Sequence, residues 1–312
     1  MHWKLKALIQ NAVALLPPGP SLAVYYQIQR HFGGLRQFDL AGKLRAGAAA
    51  WRLLRAQGAE PAGKVFLEVG TGRVPAVPLV FWLLGARETI TIDLNPYLRA
   101  ELVRELLDFL LAHQDTVAQT LAPCLDQERL AAVLALARHP AATTRDLLAL
   151  ARITYLAPGD AACTGLAGGS IDFHTSYTVL EHIPPAILRD IIKEGNRLLR
   201  PGGLFVHRVD YSDHFSHADP SLTPLNFLRY AEATWRLYAG NRFMYMNRLR
   251  HDDYLALFQS LGHQILAEEP EVDPRCLELL QTGALPLASR FAGKTPEVLA
   301  ITGSWLVSRP RE

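Results

Sequence analysis

From about residue 60 onward, short continuous apolar runs alternate with stretches of helical periodicity. Val65, Phe66, Leu67 and Val69 form such a run between glycines, the pattern of a strand buried on both faces. Residues 76–84 (AVPLVFWLL) read as a buried helix ended by Gly85, and TITID at 89–93 reads as a second strand. Residues 97–150 are helical by period and propensity, broken near Pro123 and Pro140, and exceed what a simple crossover needs. ITYLA at 153–157, SIDFHTSY at 170–177 and LFVHRV at 204–209 each follow a turn signal and predict a third, fourth and fifth strand, with a helix over 183–200. Beyond residue 220 the pattern predicts helices over 225–238 and 252–261, then final strands in HQILAEEPEV and VLAITGSWLVS. This alternation predicts an α/β fold, an open and mostly parallel seven-stranded Rossmann-like sheet with helices on both faces.

The first sixty residues are different. Trp3, Leu5, Leu8, Ile9, Val13 and Leu16 recur at near-helical spacing, which suits a lid packed on the main body or a contact with a membrane surface. Helix then continues over residues 20–58 in two pieces separated by Gly33 and Gly34. The expected division is a helical extension over 1–60 and an α/β domain over 61–312 with a helical insertion at 97–150.

Composition narrows the class. Of 312 residues, 49% are hydrophobic and 20% charged, as in an ordinary globular protein, and 32 basic against 30 acidic residues give a net charge of only +2. No electrostatic footprint for nucleic acid follows from that balance. Cys124, Cys163 and Cys276 are far apart and odd in number, which points to a reducing cytoplasm rather than a disulfide framework. Two lysines before a short apolar run resemble a signal peptide, but no small-residue cleavage site follows and Pro17 and Pro18 interrupt the run. No apolar stretch reaches the length that spans a bilayer.

Candidate chemistry begins at Glu68-Val69-Gly70-Thr71-Gly72, which follows the first strand. Gly70 and Gly72 let the backbone turn sharply and approach a ligand, and Glu68 can hold an ammonium or hydroxyl group. Asp93, followed by Leu94, closes the second strand where ribose hydroxyls would lie in a nucleotide site. Pro75 stands where a dinucleotide fingerprint needs its third glycine, so no pyrophosphate cradle is evident, and a carboxylate at Glu68 suits a cationic ligand better than a phosphate.

The run EVGTG at 68–72, Asp93, the Gly159-Asp160-Ala161 turn, SIDFHTSYTVLEHI at 170–183 and LLRPGG at 198–203 are similar, in order and spacing, to the motifs of class I S-adenosylmethionine-dependent methyltransferases. The resemblance implies that Glu68, Gly70 and Gly72 face the methionine moiety, Asp93 the ribose, and Asp160 with the Ala161 backbone the adenine, with Thr71 and Leu94 as further cofactor-side candidates. Ser176 and Tyr177 would border the cofactor from the fourth strand. The implied reaction is in-line transfer of a methyl group, leaving S-adenosylhomocysteine. An NAD-dependent oxidoreductase on a related sheet, or a catalytically silent cofactor- or partner-binding protein, are the alternatives.

On the acceptor side, HRVDYSDHFSHADP at 207–220 gathers His207, Asp210, Asp213, His214, His217 and Asp219 just past the fifth strand. Three readings stand open: a general base, a metal site, or a polar loop whose aspartates cap backbone amides. If a base exists, His214 is the first candidate, with Asp210 or Asp213 orienting it and His217 beside it; irregular spacing argues against a metal. His182 in LEHI is either a base or a structural histidine. Arg242, Arg248 and Arg250, interleaved with aromatics, either recognise an anionic or aromatic substrate or pack a loop. With no NPPY-like tetrapeptide and no nucleic-acid module, the expected acceptor is a small molecule or glycan-like metabolite, methylated on oxygen. Oligomeric state is not legible.

Overall fold

The computed structural model describes residues 1–36 and 38–311. Three helices open the chain: α1 (Trp3–Ala14), α2 (Pro18–Phe32) and α3 (Leu40–Ala56). Next come β1 (Val65–Val69), α4 (Ala76–Leu83) and β2 (Glu88–Ile92), then four helices, α5 (Ala100–Ala112), α6 (Gln114–Leu121), α7 (Gln127–Ala137) and α8 (Thr144–Leu150). The remainder runs β3 (Ile153–Leu156), β4 (Ile171–Tyr177), α9 (Pro185–Leu198), β5 (Leu199–Asp210), α10 (Glu232–Ala239), α11 (His251–Ser260), β6 (His263–Val272), α12 (Pro274–Gln281), α13 (Pro296–Leu299) and β7 (Ile301–Pro310).

These strands make one seven-stranded sheet in the order β3-β2-β1-β4-β5-β7-β6. The first five pair in parallel, and β7 runs antiparallel to both β5 and β6. Strand order reverses between β1 and β4, which opens a crevice at their carboxyl ends, the place where ligands bind in open α/β sheets. All five residues of β1 are buried because both faces are covered. Phe66 stacks between Trp51 of α3 and Phe81 of α4 on one face, while Val65 and Leu67 meet Leu188, Ile191 and Ile192 of α9 on the other. A third apolar cluster joins Trp3 and Ala7 of α1 to Phe215, Leu225, Phe227 and Trp235.

Several boundaries differ from the sequence reading. Pro18 starts α2 at its first turn, where a missing N–H costs nothing. β2 ends at Ile92, so Asp93 is the first loop residue. β5 begins at Leu199 and absorbs the LLRPGG turn: its register on β4 shifts between Ile171 and Phe173, and Gly202 takes φ +78°. The helix expected over 225–238 divides into a 3-10 turn at Asn226–Arg229 and α10. In α1 the buried stripe is Trp3, Ala7, Gln10 and Val13, while Leu5 (50%) and Leu8 (64%) face outward, so the apolar spacing does not mark a single packing face.

Candidate functional site

The crevice at the ends of β1 and β4 is built from the glycine turn, the loops after β2 and β3, and α3. Gly70 and Gly72 have φ of +86° and +68°. A side chain on Gly70 would strike Val179, whereas the space beside Gly72 is open for a ligand. Asp93 presents its carboxylate beside that space, with Oδ2 accepting from the Gly72 amide at 2.9 Å and the Leu94 and Asn95 amides nearby. Burial pushes the Asp93 carboxyl up to about 6, against the pull of those amides and of Arg73. Leu94 is 71% exposed, an apolar surface at the mouth that a flat ring can cover. The Gly159 amide donates to the Asp93 carbonyl (2.9 Å), tying the loop of Asp160 and Ala161 to this edge; Asp160 itself caps the Ala162 amide (2.8 Å).

Glu68 is 2% exposed and accepts from Thr91 Oγ1 at 2.7 Å, and that hydroxyl lies 2.5 Å from Thr71 Oγ1. Burial pushes its carboxyl up to about 8, although the Thr91 hydrogen bond and the Lys43 ammonium oppose the shift. Lys43 was not foreseen. It comes from α3, its ammonium lies over the rings of Phe38 and Tyr177, and burial lowers its pKa against the pull of Glu68 and Asp39. Tyr177 therefore borders the crevice, while Ser176 turns its hydroxyl inward to His207 Nδ1 at 2.7 Å. A helical-period pattern around residue 43 carries no sign of which polar residue the fold will aim at the sheet, so no sequence signal singled out this lysine.

The segment after β5 separates into side chains that cluster at the sheet edge and side chains that cap the backbone. Asp210 Oδ2 lies 3.2 Å from His214 Nε2, and Ser212 donates to Oδ1 through both its amide (2.8 Å) and hydroxyl (2.6 Å). Burial alone would raise the Asp210 carboxyl, but His214 and Ser212 outweigh it and hold the group below the usual carboxylate range. His217 Nε2 is 3.0 Å from Ser212 Oγ, and its ring stacks on that of His214. Asp213 does not join them. It is fully buried, with Oδ1 capping the Phe215 amide and Oδ2 accepting from Asn226, which corrects its expected role as a partner of His214. Asp219 likewise caps Trp3 and Ser221, pinning α1 to this loop. His182, by contrast, comes close to the cluster, its ring centroid 4.8 Å from that of His214.

Two of the three arginines are architectural; Arg242 is exposed, with Nη2 3.3 Å from the Ala14 carbonyl. Arg248 donates to the carbonyls of Phe227 and Tyr230 and to Glu232, and Arg250 donates to those of Tyr211, Leu299 and Ile301; both are buried and cannot reach a substrate.

A doubly wound sheet of this order, with a glycine turn and an acidic residue at its switch point, defines a nucleotide-type site of the Rossmann-like class. Residues 109–207, from within α5 into β5, match the family model described as a methyltransferase domain. That match, over about a third of the chain, and the sheet order agree with a Rossmann-like methyltransferase fold. No curated protein matches the chain. Among solved structures it is similar to the PH0226 protein of Pyrococcus horikoshii OT3, at 12% identity over 92% of this chain and 98% of that one with a TM-score of 0.48. Magnesium protoporphyrin IX methyltransferase (ChlM) of Synechocystis PCC 6803, solved with S-adenosylhomocysteine, has 12% identity over 93% and 99% with a TM-score of 0.46. A geranyl diphosphate methyltransferase, solved with GPP and sinefungin, has 12% identity over 85% and 78% with a TM-score of 0.48. The crevice fits the cofactor on its own chemistry: a backbone-held carboxylate beside an open glycine, an exposed apolar side chain at the mouth, and the Lys43 ammonium acting on the buried Glu68. Among the described residues, no helix is long and apolar enough to cross a membrane.

Proposed function

We propose that this chain methylates a hydroxyl oxygen of a small-molecule or glycan-like acceptor, with His214 as general base and Asp210 as its orienting partner. The observation that carries the reading is the His214–Asp210 pair, 3.2 Å apart at the carboxyl edge of the sheet. Hydroxyls hold a proton near their attacking electron pair, so a positioned base serves oxygen transfer more than transfer to sulfur or to an amine already neutral. S-adenosylmethionine, when bound, supplies a methyl group already activated on a sulfonium. The protein's own residues then have to orient the acceptor, exclude water and accept one proton.

Room for an acceptor supports this. A cavity of about 290 Å³ lies beside His217, walled by Lys6, Gln10, Tyr25 and Gln29 of the first two helices. In this reading residues 1–60 act as a lid over the methyltransferase domain of 61–312, and the 97–150 helices form an added layer. On the cofactor side, Asp93 and Leu94 serve the ribose and adenine, with Asp160 and Ala161 beside them, and Lys43 attracts the methionine carboxylate. The three cysteines, all unpaired, suit a reducing cytoplasm.

The test is methyl transfer from labelled S-adenosylmethionine across a panel of hydroxylated acceptors. His214→Ala should lower turnover by about 10²- to 10⁴-fold, the range for losing a general base, and leave S-adenosylhomocysteine affinity within about twofold. Turnover equal to the parent protein would overturn the assignment.

A further inference from the structure

We propose that Glu181, His182 and His214, flanked by Asp210 and His217, form a site for one divalent transition-metal ion at the acceptor end of the crevice. The ligand atoms of Glu181, His182 and His214 lie within 4.8 Å of one another, and so do those of Asp210, His214 and His217. An ion bonded at about 2.1 Å holds its ligands no more than about 4.2 Å apart, so a small inward turn of these side chains closes the set.

Glu181 supplies the independent observation. It is 2% exposed, yet neither carboxylate oxygen has a hydrogen-bond partner; the amides of Glu181 and Asp210 lie nearby without closing a bond. A buried carboxylate facing a second carboxylate is costly unless a cation joins them or one keeps its proton, the direction in which burial pushes Glu181. Arg208 acts on Glu181, its Nη2 donating to Glu271 at 2.5 Å and its Nη1 closing no hydrogen bond. Lys6 is the other cation here; its ammonium points to the His214 carbonyl (3.5 Å) and faces Asp213.

His182 is oriented as metal-bound histidines are. Its Nδ1 lies 2.9 Å from the Tyr245 carbonyl, which fixes the proton on that nitrogen and leaves Nε2 with a free lone pair. The segment that carries Glu181 and His182 is itself held in place: Thr178 sits at φ +52°, and Asn247 Nδ2 donates to the carbonyls of Leu180 (2.9 Å) and Ile183 (3.0 Å). Two or three imidazoles with two carboxylates suit Mn²⁺, Fe²⁺, Co²⁺ or Zn²⁺, and are a poor match for Mg²⁺ or Ca²⁺, which prefer oxygen ligands.

The catalytic part of this proposal rests on the hydroxyl-acceptor reading; the binding part does not. Three protein ligands leave positions for an acceptor oxygen, and a cation there lowers the hydroxyl pKa. With His214 holding the cation, His217 takes its place as base: the O–H proton passes to His217 and on to solvent. The oxygen pair bonds to the methyl carbon while the C–S pair returns to sulfur.

The full chain, stripped with chelator, should bind one equivalent of Co²⁺ with visible d–d bands and quench the resonance of one equivalent of free Mn²⁺. His182→Ala, at an exposed position, and Glu181→Gln should each weaken metal binding by about 10- to 100-fold while S-adenosylhomocysteine binding is kept. Retained S-adenosylhomocysteine binding also certifies that the Glu181 variant folds. Absence of stoichiometric binding, or unchanged metal affinity in His182→Ala, overturns the site. A chain that binds no metal and still loses turnover in His214→Ala has the base without the cation. A chain that binds metal and methylates no hydroxyl acceptor has the cation without that acceptor class.

Discussion

Replacing Glu68 by glutamine should stabilise the protein above neutral pH, by an amount that grows with pH. The carboxyl is buried under α3 and its pKa is raised from 4.5 to about 8 in the folded chain. Between those values the folded state holds a proton that the unfolded state has released, so the stability contribution of Glu68 falls as pH rises. With one proton in excess on the folded side, the slope is about 1.4 kcal/mol per pH unit, and across the 3.5-unit window the loss reaches about 5 kcal/mol. Glutamine keeps the shape and can still accept from Thr91, but it has no charge to desolvate. Urea unfolding at several pH values from 5 to 9 should therefore give a difference, variant minus parent, that climbs through the window and levels above pH 8. Comparison of the two proteins cancels the other titrating groups, including Asp93 and the buried histidines. A flat difference across the range would refute the argument and mean that Lys43 fully compensates the buried charge.

Asp93→Ala should weaken S-adenosylhomocysteine binding by about 10- to 100-fold by calorimetry, the range for losing a charged hydrogen-bond partner, and unchanged affinity would remove the ribose assignment. Arg250→Met should lower stability by about 3 kcal/mol or more in urea, because three buried carbonyls lose their donor; a change under 1 kcal/mol would show that water replaces the guanidinium. Leu5→Ser and Leu8→Ser should change stability by less than about 0.5 kcal/mol, since both side chains face solvent.

The sheet was legible because a buried parallel strand advertises itself: VFLEV and IDFHTSY are nearly continuous apolar or β-forming runs between turn residues. The motifs at 68–72 and 93 were legible for a related reason, as turns at strand ends tolerate few residue types. What failed to show was direction. Helical period gives a face only when polar and apolar residues segregate. In α1, Leu5 and Leu8 share the spacing of the true packing stripe of Trp3, Ala7 and Gln10, and docking against Phe215 and Tyr238 decides between them. Within 207–220, sequence gave no means of telling Asp210 from Asp213, three residues apart. Asp210 ends β5 and looks into the crevice, whereas Asp213 lies in the following turn and is consumed by the Phe215 amide and Asn226.

The same distinction explains how a nearly neutral chain assembles a charged centre. Most acids and bases here meet at the surface or cap a helix, where they cost little. At the ends of β4 and β5 the backbone overrides that economy. Left-handed Thr178, the Asn247 clamp and Arg250's grip on Tyr211 bring Glu181 and Asp210 together with three histidines, and no lysine or arginine is spent to neutralise them fully. Burying two carboxylates so close is unfavourable for folding alone, and structure of that kind persists where a ligand or a reaction recovers the cost. On β1, Glu68 meets the same problem with Lys43. In the proposed reading, the contrast between a buried acid beside a lysine and a pair left facing imidazoles places cofactor recognition at β1 and acceptor chemistry at β4 and β5.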